Sequence, residues 1–308
     1  MRVGFIGLGT MGANIALNAI KGQNALIVHD INRGAADPHL EIGAEWADSP
    51  KAVAAKSDVV FTSLPGPTEV EAVALGEGGL IEGMKPGSVY FDLSTNSPTV
   101  MRRLHATMKE KDVEVLDAPV SGGPDGAKSG KMAIWVGGDK GTFEKHKTVL
   151  DSMGDAARYI GPIGAGSIAK LVHNLSGYIL GSALAETFTM GVKAGLEPDA
   201  LWEAVRQGAL GRRRTFDTMH RNYLPQDFDP PNFALQLARK DVALACELGR
   251  EYDVPMKLAH TTLAEMTEAL NRGWGHRDSR VAMMLQNERA GVDIKVDPAR
   301  LHEIIEND

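Results

Sequence analysis

Gly7, Gly9 and Gly12 fit G-x-G-x-x-G directly after a short apolar run at residues 3–6, and Asp30 stands 18 positions beyond Gly12, after a second such run. Between a strand and a helix each of these residue types has a specific use. Gly7 permits a tight turn, Gly9 lets a pyrophosphate approach the backbone, and Gly12 lets the helix pack close to the sheet. The helix N-terminus, entered through Leu8, Thr10 and Met11, offers N–H groups and positive dipole to phosphate. A carboxylate at Asp30 is placed to accept hydrogen bonds from ribose hydroxyls. The chemistry is dinucleotide binding; the bland alternative is a chance tight turn.

A second constellation lies mid-chain, where Gly164-Ala165-Gly166-Ser167 opens a helical run to about residue 191. At 3.6 residues per turn Ile168, Val172, Leu175, Ile179 and Ala183 form a stripe that reads as core, while Lys170, Asn174, Gly177 and Gly181 share another face. Two helical glycines cost roughly 1 kcal/mol each against alanine, which predicts something packed close to the backbone there. Oxidising an alcohol with a nicotinamide needs a proton acceptor at the hydroxyl, and the reverse reaction needs a donor. A lysine serves both directions, with Asn174 holding the ammonium or the hydroxyl. Burial, or the positive end of the helix dipole, would favour the neutral amine. Most helical lysines are merely solvated, so this one needs support from the rest of the chain.

That support begins with the elements that would position these groups. Strands are predicted over 3–6, 25–29, 58–63, 88–92, 114–117 and 133–136, alternating with helices over 11–21, 50–56, 68–75, 98–111 and 141–153. This alternation is the signature of a parallel sheet covered on both faces. From Gly164 onward helical patterns take over, near 198–207, 233–252, 258–271 and 279–288. The expected architecture is therefore α/β: a doubly wound Rossmann domain over 1–163, then an all-α domain over 164–308 whose first helix, 164–191, joins the two. The tail 295–308 reads as a short helix available to dock on a partner chain. A length of 308 residues allows a sizeable core, and a net charge of −7 supplies no basic field for nucleic acid or an anionic membrane. The single cysteine, Cys246, forms no intrachain disulfide, and no apolar run approaches a membrane span, so the chain reads as cytoplasmic. Scattered histidines offer no metal site.

Further loops fall after strand ends, where a doubly wound sheet places its ligands. Leu64-Pro65 and Ser94-Thr95-Asn96 are each placed to touch the cofactor, although the latter three serve equally as helix caps before Pro98. Ser121-Gly122-Gly123 would present unobstructed backbone N–H groups suited to a carboxylate, or form a simple turn.

Taken in order, the glycine fingerprint, Leu64-Pro65, Asp92-Leu93-Ser94-Thr95, Asp117-Ala118-Pro119-Val120-Ser121-Gly122-Gly123, Gly164-x-Gly166-x3-Lys170-x3-Asn174 and Lys240-Asp241 resemble the β-hydroxyacid dehydrogenases typified by 3-hydroxyisobutyrate dehydrogenase. The resemblance spans nearly the whole chain. It implies Lys170 as the catalytic residue with Asn174 beside it, Ser121, Gly122 and Gly123 at the substrate carboxylate, and Thr95 and Lys240 near the cofactor. It also implies a homodimer or homotetramer. Reductases of tartronate or succinic semialdehyde and threonate dehydrogenases belong to the same family, and a non-catalytic dinucleotide-binding scaffold is the reading from another class. Retention of both Lys170 and Asn174 speaks against the scaffold and against imine reduction.

The chain departs from the family pattern at Lys131-Met132 after Gly130 and at Pro124-Asp125, which stiffen and charge the substrate loop. Arg212-Arg213-Arg214 is an unusual cluster in an acidic chain, read first as a solvated face or an intersubunit ion pair and second as a contact for an acidic substrate end. At the end of the second strand Asp30 stands where relatives that use the phosphorylated cofactor carry Asn before Arg-Thr. The expected cofactor is accordingly NAD rather than NADP.

Overall fold

A computed structural model describes residues 1–308 except 23, 209–210, 212–216, 252, 254 and 307–308. The chain divides into two units, Met1–Val172 and His173–Asp308. In the first, nine strands form one sheet: β1 (Arg2–Ile6), β2 (Ala25–His29), β3 (Glu45–Trp46), β4 (Val59–Thr62), β5 (Val89–Asp92), β6 (Glu114–Asp117), β7 (Val120–Ser121), β8 (Ala133–Gly137) and β9 (Ala156–Gly161). The order β3-β2-β1-β4-β5-β6 is parallel throughout. The parallel sheet expected from the sequence extends as far as β6; beyond it β8 runs antiparallel to both β6 and β7, with β9 parallel on its other side. The pairs Asp117↔Gly137, Val120↔Ile134 and Ser121↔Ala133 keep one register, so Asp117 to Ser121 is a single extended stretch along β8, interrupted only at Ala118-Pro119.

The strands are apolar on both sides because helices cover both faces. Val3, Phe5, Val28, Phe61, Phe91 and Leu116 pack toward α1 (Gly12–Lys21). Ile6, Ile27, Val60, Tyr90 and Val115 pack on the other face, toward α3 and α6 below. Around the sheet run α2 (Asp37–Glu41), α3 (Pro50–Lys56), α4 (Pro67–Leu75), α5 (Leu80–Gly83), α6 (Pro98–Lys109), α7 (Gly123–Ser129) and α8 (Lys140–Met153). The start of α3 shows local sequence at work: the Ala52 N–H donates to Ser49 Oγ at 3.2 Å, with Pro50 in the first turn.

Helix α9 (Ala165–Lys193) carries the chain from the first unit into the second, where α10 (Pro198–Gln207), α11 (Leu235–Glu251), α12 (Lys257–Ala269), α13 (Met284–Ala290) and α14 (Pro298–Glu306) follow. Residues 279–288, expected as one helix, split into a 3-10 turn, Ser279–Met283, and then α13. The apolar stripe assigned to α9 holds only in part. Leu175 is buried and Ile168 and Ile179 are half-buried, but Val172 is 59% exposed and Ala183 is exposed, while Ser167, Leu171, Leu184 and Phe188, outside the stripe, are buried. Both sides of this helix carry aliphatic residues, so periodicity alone does not select the buried one. Asn287 pins α9 to α13, its Oδ1 accepting from Thr189 Oγ1 at 3.0 Å and from the Tyr223 hydroxyl at 2.7 Å. The tail packs within its own unit, for Ile294, Val296, Leu301 and Ile304 join the core of Trp202 and Tyr223. Among the described residues no helix is long and apolar enough to cross a membrane.

Candidate active site

The glycine loop between β1 and α1 is set by backbone crowding. Gly7 has φ +92°, and a Cβ there would lie 2.2 Å from the Ser63 carbonyl oxygen; one at Gly12 would lie 1.9 Å from that of Gly7. Gly9 differs, since a Cβ there would meet nothing within 4 Å. Among the described residues nothing requires glycine at position 9. The helix that follows has no side-chain cap at Met11 and no acid in its first turn, so its own residues do not neutralise the positive end of its dipole.

Asp30 follows β2 directly and is bound on both oxygens by backbone: the Leu8 N–H donates to Oδ2 at 2.7 Å and the Asn32 N–H to Oδ1 at 2.8 Å. It thus ties the glycine loop to the end of β2, while a carboxylate's remaining lone pairs stay available. Beyond it Ile31 is fully exposed, and Arg33 lies over the Trp46 ring, 4.5 Å from its centroid, with Nη1 3.2 Å from Asp37 Oδ1.

The loops after β4 and β5 are joined by a network that sequence reasoning missed, centred on buried Asp92. Its Oδ1 accepts from Thr62 Oγ1 at 2.9 Å and from the Ser94 N–H at 3.1 Å, and its Oδ2 from Asn96 Nδ2 at 2.8 Å. Burial raises its pKa above the ordinary carboxylate value, with these hydrogen bonds pulling the other way. The Leu64 N–H donates to Ser94 Oγ at 2.9 Å. Ser94 therefore ties the two loops together, and Asn96 holds the Asp92 carboxylate beneath them. The helix cap at this end is Ser97, and its side chain makes no capping bond. Leu64 and Thr95 are half-buried and Pro65 is exposed on these braced loops.

Ser121 ends the stretch along β8, and Gly122 and Gly123, both exposed, turn it into α7. Gly123 has φ +61°, a conformation that favours glycine. Pro124 and Asp125 fall in the first turn of α7, and exposed Lys131 follows the left-handed Gly130 that ends it, its N–H donating to the Gly126 carbonyl at 2.9 Å.

Asp117 is the second residue the sequence did not single out for a role. It is 1% exposed at the end of β6, and its carboxylate receives the first turn of α9: the Gly164 N–H donates to Oδ1 at 2.7 Å and the Ser167 N–H to Oδ2 at 2.5 Å. Burial pushes its pKa from 3.8 up to about 6 against the pull of those N–H groups. Lys170, half-buried, follows Ser167 by three residues on this helix.

In the helical unit Asn174 donates from Nδ2 to Oδ2 of Asp241 on α11 at 2.7 Å. A carboxylate only accepts, so the amide is oriented with Oδ1 turned away from Asp241. Lys240 Nζ stands 2.8 Å from Asp241 Oδ1, and the Asp241 side chain is fully buried. Asp241 had a readable signal: it is an acid on the buried face of α11 with Ala238, Val242 and Ala245. Gly177 and Gly181 are expected to have a close neighbour; among the described residues a methyl group on either would meet nothing within 4 Å outside the backbone of their own helix. Both border a cavity of about 520 Å³ in this unit, with Tyr178, Ser182 and Arg280. Arg212–Arg214 lie outside the described residues.

Two family models match the chain. Residues 2–161 match the NAD binding domain of 6-phosphogluconate dehydrogenase, and residues 164–286 match the domain described as NAD-binding of NADP-dependent 3-hydroxyisobutyrate dehydrogenase. Among curated relatives, 2-(hydroxymethyl)glutarate dehydrogenase of Eubacterium barkeri is 33% identical over 96% of this chain and 97% of its own length. The NAD-dependent L-serine dehydrogenase of Pseudomonas aeruginosa is 33% identical over 94% of this chain and 99% of its own. Among solved structures, 3-hydroxyisobutyrate dehydrogenase from Salmonella typhimurium superposes with a TM-score of 0.82 at 28% identity, covering 92% of this chain and 99% of that one.

Proposed function

The chain belongs to the β-hydroxyacid dehydrogenase family, and from that premise we propose that it is an NAD-dependent dehydrogenase of a small 3-hydroxy acid with Lys170 as general acid and base. The substrates in the three relatives' names share one skeleton, HO-CH2-CH(R)-COO−, where R is carboxyethyl, ammonium or methyl. The constant parts are a primary alcohol and a carboxylate two carbons away. These are the parts a lysine and an N–H-rich loop are suited to handle.

The residues fit a dinucleotide. Open space beside Gly9, the uncapped α1 and the two backbone-held oxygens of Asp30 form a cradle that the protein's own side chains leave unfilled. When bound, the nicotinamide supplies the hydride acceptor. Lys170 takes the hydroxyl proton as the C–H hydride departs, leaving an aldehyde, and returns the proton in the reverse direction. Asn174 offers its Oδ1, an acceptor, to the ammonium or to the substrate hydroxyl, and Ser121, Gly122 and Gly123 hold the carboxylate. Thr95, Leu64 and Pro65 sit on the braced loops that would border the cofactor, with Lys240 as a further cofactor contact.

The observation that carries this reading is the attachment of the lysine-bearing helix to the strand that continues into Ser121-Gly122-Gly123. Lys170→Ala tests it: kcat should fall by roughly 10²- to 10⁴-fold while NAD binding, followed by fluorescence titration, persists. Near-full turnover would remove Lys170 from the mechanism. Reduction of a semialdehyde is the same step in reverse. A non-catalytic scaffold would turn over no hydroxy acid at all.

A further inference from the structure

We infer that Asp117 is a positioning residue for the reaction: its carboxylate fixes the rotation and register of the first turn of α9 and thereby aims Lys170. The inference rests on Lys170 as the proton-transfer group.

Helix geometry gives the reason. Successive residues on a helix are about 100° apart, so a slip of one residue where α9 begins would swing Lys170 by more than a quarter turn. A single cap hydrogen bond leaves that start free to rock. Asp117 instead holds two N–H groups three residues apart, at Gly164 and Ser167, one on each oxygen. Two fixed points on one turn determine both its position and its rotation.

The carboxylate itself has little freedom. A Cβ on Gly137 would lie 2.6 Å from its Oδ1, and one on Gly166 would lie 3.0 Å from its Oδ2 and 2.3 Å from the Trp135 carbonyl oxygen. β8 and the helix start thus close around the carboxylate, and glycine stands at both points of contact. Asp117 also precedes Ser121 by four residues on the extended stretch along β8. One buried group therefore references the lysine and the anion-binding loop to the same strand. An amide in its place presents one acceptor and one donor, so it holds one of the two N–H groups and repels the other. A serine reaches one at most.

The test is a double-mutant cycle between Asp117→Asn and Lys170→Ala in the full-length protein, with folding checked by circular dichroism and NAD binding by fluorescence. Asp117→Asn alone should lower kcat by about 10- to 100-fold with KM for the hydroxy acid changed less than about threefold, and should raise the solvent deuterium isotope effect on kcat as proton transfer becomes limiting. In the Lys170→Ala background the same substitution should cost less than about twofold, since there is no lysine left to aim. An equal loss in both backgrounds, or an unchanged isotope effect, overturns the inference while leaving Lys170 in its role. Near-full activity of Lys170→Ala overturns the reading beneath it. If Asp117→Asn does not fold, Asp117→Ser, smaller and uncharged, runs the same cycle with the same outcomes.

Discussion

Replacing Asp117 by asparagine should change how stability responds to pH, in a direction opposite to that of most carboxylates. The Asp117 carboxyl titrates at about 6 in the folded chain against 3.8 for an ordinary aspartate. A folded-state pKa raised above the unfolded one means that the unfolded chain releases this proton first. The contribution to stability is fully present below about pH 4 and is lost as the pH rises through about 6. A difference of about 2 pKa units at about 1.4 kcal/mol each corresponds to roughly 3 kcal/mol, of which roughly 1 kcal/mol is lost between about pH 5 and 7. Urea denaturation of wild type and Asp117→Asn across this range isolates the effect, because other titrating groups cancel in the difference. Wild type should lose ground to the variant as the pH rises, with the bend near 6. A flat difference, or one in which wild type gains, would show that the carboxylate is not held at a desolvation cost. The proposed positioning role supplies a reason for the fold to tolerate that cost at neutral pH.

Two further substitutions probe the ends of the proposed site. Asp30→Asn should narrow a preference for NAD over NADP that we place at roughly one to three orders of magnitude in kcat/KM. A carboxylate about 4 Å from the 2′-phosphate costs up to about 4 kcal/mol per charge pair at an effective dielectric near 20, and a third of that is already tenfold. A wild-type enzyme that works better with NADP would put Asp30 away from the ribose and give Arg33 the leading part. Ser121→Ala should raise KM for the hydroxy acid several-fold with kcat little changed, and an unchanged KM would move the carboxylate elsewhere. It is a cleaner probe than Gly123→Val, because any side chain at Gly123 is strained at φ +61°.

Much of the scaffold is legible locally. Ser49-Pro50 announces α3, and the apolar runs that become β1, β2, β4, β5, β6 and β8 stand between clear turn signals. β7 is hidden because it is two residues long and follows Pro119 directly, and β9 because Ala156-Ala157-Arg158-Tyr159-Ile160-Gly161 has neither an apolar run nor strict alternation. The glycines that crowd the backbone, Gly7 and Gly12, follow from the motif. What sequence does not reveal is pairing over distance. Asp117 meets residues 47 and 50 positions away, and Asn174 meets Asp241 across 67. No local pattern marks Asp117 as an anchor, and Asp241 shows itself only as an acid on the buried face of α11, with nothing to name its partner. The buried side of α9 escaped for a related reason: which aliphatic face is covered depends on partners elsewhere in the chain.

Hydride transfer from a 3-hydroxy acid is the reaction on which the proposed roles depend, and it is read most directly as NADH formation by the wild-type protein across a substrate panel. The panel comprises 3-hydroxyisobutyrate, L-serine, 2-(hydroxymethyl)glutarate, glycerate, threonate, 3-hydroxypropionate and 4-hydroxybutyrate, each scored by kcat/KM with NAD and with NADP. We expect turnover with at least one HO-CH2-CH(R)-COO− compound, a weaker response to 4-hydroxybutyrate, whose alcohol lies one carbon farther from the carboxylate, and higher kcat/KM with NAD. Absence of NADH or NADPH formation with every hydroxy acid, by a folded protein that binds the dinucleotide, would refute the proposed chemistry.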